Sequence, residues 1–150
     1  MEIIQITDLH ISKDKSDSKH DCVPYERLKK VLEHISANHS KHSNLVITGD
    51  LSSDFTHESY KNISSLIKQF EFNVSILPGN HDDLSMMKLI CDDQIKLESL
   101  ECENKYFSIF NFDTHIQDNV KGVINQREIE NLDNQLSCLL YTSPSPRDVP

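Results

Sequence analysis

The chain lacks tryptophan altogether, has only three glycines in 150 residues, and is short of positive charge, with 15 Lys and Arg against 24 Asp and Glu. Non-specific nucleic-acid binding needs a basic face against the phosphate backbone, so the net charge of -9 argues against it. Ordinary solubility is the plainer meaning of that acidity. No apolar run approaches the roughly 18 residues of a membrane-spanning helix, and the mean hydropathy is -0.49. The four cysteines, Cys22, Cys91, Cys102 and Cys138, form no C-x-x-C pair and no repeated short spacing. Disulfide scaffold and zinc ribbon are therefore both poor readings, and the thiols read as reduced bystanders. A secretory signal needs a basic start and a longer apolar core than MEIIQITDLH offers. The expected compartment is the cytoplasm, with neither a membrane nor nucleic acid among the partners.

What is present is a regular alternation of short apolar runs and amphipathic stripes. Residues 2–7 (EIIQIT), 44–48 (NLVIT) and 72–77 (FNVSIL) read as strands. Pro24 in a first turn, with Tyr25, Leu28, Val31, Leu32 and Ile35 behind it, predicts a helix. Thr56 is placed to cap a second, whose stripe is Tyr60, Ile63, Leu66, Ile67 and Phe70. A short helix is expected over residues 84–90 and a strand over 105–112, and Asn125 with Glu128 resembles a capping box before a last helix. The polar loop from Ser12 to Asp21 is expected to be mobile. Strands alternating with helices imply an α/β chain with a parallel sheet.

Each of the first three strands ends in polar residues of one chemical kind: Asp8-Leu9-His10, Gly49-Asp50 and Gly79-Asn80-His81-Asp82. The carboxyl ends of parallel strands line the ligand crevice of open α/β sheets. Asp8, Asp50 and Asn80 are thus expected to converge, and their carboxylate and amide oxygens with the His10 imidazole suit a divalent first-row metal. In D-x-H the two side chains share one face of an extended strand, so both reach one ion. Taken singly, each piece is more simply a solvated turn or a helix cap. Three in order, each after a strand, are hard to dismiss that way. His20, His34, His39, His42 and His57 read as surface residues; His115 follows a strand and is a candidate peripheral substrate contact.

T-D-L-H, T-G-D-L and P-G-N-H-D resemble the first three motifs of the calcineurin-like metallophosphoesterases. Residues 23–35 and 112–132 are similar to segments of one branch, the bacterial class III cyclic-nucleotide phosphodiesterases. The resemblance implies a β-sandwich flanked by helices (α/β/β/α), of which only the N-terminal part is present. It implies two divalent metals, iron or manganese, and hydrolysis of 3',5'-cyclic AMP to 5'-AMP by attack of a hydroxide held between them. Carried over by motif, Asp8 and His10 bind the first metal, Asp50 bridges both and Asn80 binds the second. His81 sits over the phosphate as the catalytic acid, with Asp82 orienting its ring; His10, Asp50, Asn80 and His81 also meet the substrate. A phosphatase, nucleotidase or nuclease of the same superfamily is the enzyme alternative, and a non-catalytic metal-binding fragment the other. The family's later histidine ligands, in H-x-P and G-H-x-H contexts, have no counterpart here, which implies an inactive fragment.

The end of the chain differs in kind. Residues 138–150, CLLYTSPSPRDVP, hold three of the five prolines, and Cys138 to Asp148 resemble a translated transposase adapter of the kind used in sequencing libraries. The expected division is therefore a phosphoesterase portion over 1–137 and a non-native tail over 138–150.

Overall fold

Isoleucine- and valine-rich segments build one sheet. The computed structural model describes residues 2–19, 21–40, 43–97, 112–116 and 121–142. Within them β1 (Ile3–Ile6), β2 (Asn44–Thr48), β3 (Asn73–Leu77) and β4 (Ile95–Leu97) lie side by side in sequence order, each neighbouring pair parallel. Parallel neighbours need crossovers, and α1 (Pro24–Asn38), α2 (His57–Ile67) and α3 (Leu84–Ile90) supply them. Because the strands are added in one direction, right-handed crossovers put all three helices on one face.

The register shows which face that is. Ile4, Leu45, Val74 and Ile95 align across the sheet, as do Ile6, Ile47, Ile76 and Leu97. All eight join the apolar core that also takes Leu28 and Leu32 of α1, Tyr60 and Ile63 of α2, and Met87 of α3. On the reverse face Val46 and Ser75 are buried while Gln5 is exposed. This four-stranded α/β sheet flanked by helices is consistent with the metallophosphoesterase fold.

Local signals set the helix ends. Pro24 opens α1, and the Thr56 side chain accepts the Ser59 N–H at 3.2 Å to cap α2. Asp83 caps α3 through the N–H groups of Ser85 (2.7 Å) and Met86 (3.1 Å). At the start of α4 (Gln126–Thr142) the capping box is only half made. Asn125 accepts the Glu128 N–H at 3.0 Å, but the Glu128 carboxylate accepts from the Asp113 N–H at 3.1 Å instead of reaching back.

Two expectations need amending. β4 has no counterpart in the sequence reading, because three residues carry too little pattern. The Ser12–Asp21 loop is tethered: Ser12 bonds Asp17 and Ser53, the Lys13 N–H reaches Asp54 at 2.8 Å, and Asn62 donates to the carbonyls of Ser12 and Lys13. Helix α4 runs unbroken past residue 137 to Thr142, through the start of the segment expected to be foreign, and ends ahead of Pro144. Residues 105–111 of the expected strand, and 143–150, lie outside the described residues.

Candidate metal centre

The carboxyl ends of β1 and β2 bring three ligand-type side chains together. One ligand atom each from Asp8, His10 and Asp50 lies within 4.8 Å of the others. His10 Nε2 stands 3.8 Å from Asp8 Oδ1 and 3.7 Å from Asp50 Oδ2. The Asp50 side chain is the most enclosed, at 16% exposure against 60% for Asp8.

Backbone geometry beyond the strands achieves this, not the pleat of a strand. β1 ends at Ile6, and the chain after it runs beside the chain after β2. The Asp8 N–H donates to Gly49 O at 3.2 Å, His10 N–H to Asp50 O at 2.9 Å and Ile11 N–H to Leu51 O at 2.9 Å. Asp8, His10 and Asp50 all take left-handed backbone, with φ of 56°, 46° and 52°. The expectation that Asp8 and His10 share one strand face is thus corrected: two left-handed residues flanking Leu9 turn both side chains to the same ion-sized space. Such backbone costs roughly 1–2 kcal/mol per non-glycine residue, and strain of this kind concentrates at functional sites.

Two glycines and one threonine complete the scaffold. Gly49 has φ 88°, and a Cβ there would stand 2.9 Å from the Gly79 Cα; a Cβ on Gly79 would collide with the Asp50 carboxylate. The loops after β2 and β3 therefore touch through bare backbone. The Thr7 hydroxyl, which the sequence reading passed over, is 2.7 Å from Asp8 Oδ2 and 2.8 Å from Thr48 O, tying the first ligand to β2.

The third loop divides its labour differently from the expectation. Asn80 is exposed and lines a cavity of about 310 Å³ together with Asp8, Asp50, His115 and Lys121. His81 donates its backbone N–H to Asp50 Oδ1 at 3.1 Å, and its exposed ring lies 5.6 Å from the His10 ring. His81 also borders a larger cavity of about 720 Å³ with Asp8, His10, Lys19 and Arg27. Asp82 does not orient the His81 ring. Its carboxylate is buried and accepts the N–H groups of Leu51 (3.0 Å), Ser52 (3.2 Å) and Gly79 (2.9 Å) and the Tyr60 hydroxyl (3.0 Å). Burial pushes the Asp82 carboxyl up, against the pull of those donors, and burial likewise raises the Tyr60 phenol. With four donors converging on it, Asp82 braces the loops after β2 and β3 against each other.

Two carboxylates and an imidazole in mutual reach form a donor set that fits a divalent first-row cation. The left-handed backbone at all three residues is the observation that separates them from a chance acidic cluster.

Comparison with known proteins agrees with this chemistry. Residues 1–143 match the family described as calcineurin-like phosphoesterase, whose members use divalent metals. A probable cyclic nucleotide phosphodiesterase of Coxiella burnetii is 29% identical, covering 97% of this chain and 61% of the relative. A 3',5'-cyclic adenosine monophosphate phosphodiesterase of Vibrio vulnificus is 25% identical over 92% of the chain and 51% of the relative. A probable glycerophosphodiester phosphodiesterase of Arcobacter nitrofigilis is 26% identical over 91% and 52%. The chain thus spans 51–61% of the length of these relatives.

Proposed function

The chain belongs to the calcineurin-like phosphoesterase family, and from that premise we propose that it is the N-terminal part of a cytoplasmic phosphodiesterase that converts 3',5'-cyclic AMP to 5'-AMP with two divalent metals, iron or manganese. The observation that carries the reading is the convergence of Asp8, His10 and Asp50 on left-handed backbone. The names of the Coxiella and Vibrio relatives support the cyclic-nucleotide substrate. Asp8 and His10 would hold one cation, Asp50 both and Asn80 the second. Bound there, the metals would polarise the phosphoryl oxygens and lower the pKa of water to make a nucleophile.

The chain's own residues set the remaining conditions. Asp50 is fixed by the His81 N–H, so its second oxygen stays aimed at His10. The imidazole of His81 stands at the open side of the cluster, free of the Asp82 carboxylate, where it can give a proton to the leaving 3'-oxygen. Asn80, which lines a cavity with Asp8 and Asp50, would supply a neutral oxygen donor. Residues 1–137 would be the enzyme portion and 138–150 a foreign tail, and the chain as it stands would be catalytically silent for want of further histidine ligands.

The Arcobacter relative favours a second reading, a different phosphodiester in the same site. Assaying the protein extended to its relatives' length against cyclic AMP, bis-p-nitrophenyl phosphate, a glycerophosphodiester and a phosphomonoester separates the two. Preferred turnover of cyclic AMP supports the first. Preference for the glycerophosphodiester replaces it with the second, and metal binding without any turnover leaves a binding module.

A further inference from the structure

Phe55 breaks two local rules at once. Its side chain is large and apolar yet 47% exposed, and its φ of 58° lies in the left-handed region, where a bulky residue is an outlier. Glycine would take that backbone without strain. The turn that imposes it is heavily bonded: Ser52 Oγ accepts the Phe55 N–H at 2.9 Å and meets Ser59 Oγ at 2.7 Å, while Asp54 accepts the Lys13 N–H and the Thr56 hydroxyl, each at 2.8 Å.

What the Phe55 ring faces is His81. The two ring centroids are 6.0 Å apart with planes 29° from parallel, inside the usual range for aromatic pairs. The His10 ring meets the same imidazole edge-on, at 5.6 Å and 77°. Among the described residues no protein hydrogen bond reaches the His81 ring, since Asp82 is engaged with Leu51, Ser52, Gly79 and Tyr60. An exposed histidine without such a bond has several staggered wells open to it.

We propose that Phe55 is a positioning residue, which with the His10 ring clamps the His81 imidazole in the orientation that faces the Asp8–His10–Asp50 cluster. This rests on the reading of His81 as the acid. An aromatic contact of ordinary strength biases such a choice of rotamers by about 2- to 13-fold. Removing the Phe55 ring should lower kcat by about that factor with KM unchanged, well short of the 10²–10⁴-fold worth of a positioned acid. A ring that stacked on the substrate base would instead raise KM.

The test pairs a spectroscopic readout with turnover. In the 150-residue chain, with its histidine rings isotopically labelled, His81 ring protons should show the ring-current shift of Phe55 and a single rotamer. Phe55→Leu and Phe55→Gly should abolish the shift and average the rotamers while the thermal midpoint holds or, for Phe55→Gly, rises as backbone strain is relieved. Phe55→Tyr should restore both. In the enzyme extended to its relatives' length, the same variants should move kcat in the same order. Unchanged His81 signals in Phe55→Leu overturn the proposal, whatever turnover does. So does a fall in thermal midpoint that tracks the loss of the ring signal in both Phe55→Leu and Phe55→Gly, which would make Phe55 a residue of the fold. If the ring reorients and turnover is indifferent, the positioning stands and it is the acid role of His81 that fails.

Discussion

Asp50 shows how much one side chain carries here. It stands on left-handed backbone after Gly49, takes the His81 N–H on one oxygen and faces His10 with the other. Asp50→Ala is therefore expected to abolish metal binding while the helices persist, which calorimetric titration beside circular dichroism will check. Gly79→Ala makes the same point through sterics, because the new methyl drives into the Asp50 carboxylate and backbone nitrogen. Calorimetry should find it weakening metal binding and denaturant titration should find it less stable. In the extended enzyme, His81→Ala should keep its metal and lose about 10²–10⁴-fold in rate. A loss of metal equal to that of Asp50→Ala would contradict the role given to His81. The convergence of Asp8, His10 and Asp50 was legible because each follows an apolar strand. The job of Asp82 was not, since its neighbour in sequence is His81 while its hydrogen-bond donors lie up to 31 residues away. Nor was Phe55, whose significance is a backbone angle that no composition reveals.

At the scale of elements, the site depends on loops being locked together as much as on the strands that deliver them. Asp82 is the lock between the loops after β2 and β3, and Asp82→Ala would orphan three backbone N–H groups and the Tyr60 hydroxyl. Each buried donor left unpaired costs about 1–3 kcal/mol, so a loss of at least ~3 kcal/mol is expected from denaturant unfolding even after water takes up part of the deficit. Thr56→Ala, which removes the α2 cap, should cost about 1 kcal/mol in the same experiment and leave metal binding alone. The start of α2 was readable from its Thr56 cap, though the stripe ran on to Phe70, past the helix end at Ile67, and the spans of α3, β2 and β3 were readable to within a residue. β4 was not, because a three-residue edge strand takes its place from pairing with Val74, Ser75 and Ile76 and not from its own pattern. The α1 stripe was right at Leu28, Leu32 and Ile35 but not at Val31, which remains 36% exposed.

At the scale of the whole molecule, four parallel strands in sequence order and three helices on one face present the strand ends as a single rim. The strand order is a finding of the structure; a parallel sheet is what the alternation of apolar runs and stripes implied. The left-handed kinks that turn the rim into a site did not follow from it. The central claim is that this rim holds a metal, and manganese titration of the chain followed by electron paramagnetic resonance tests it most directly. The account predicts saturable binding of one ion per chain that is lost in Asp50→Ala with the fold intact. Identical titrations for the parent chain and Asp50→Ala, or no binding by the folded parent, would contradict it.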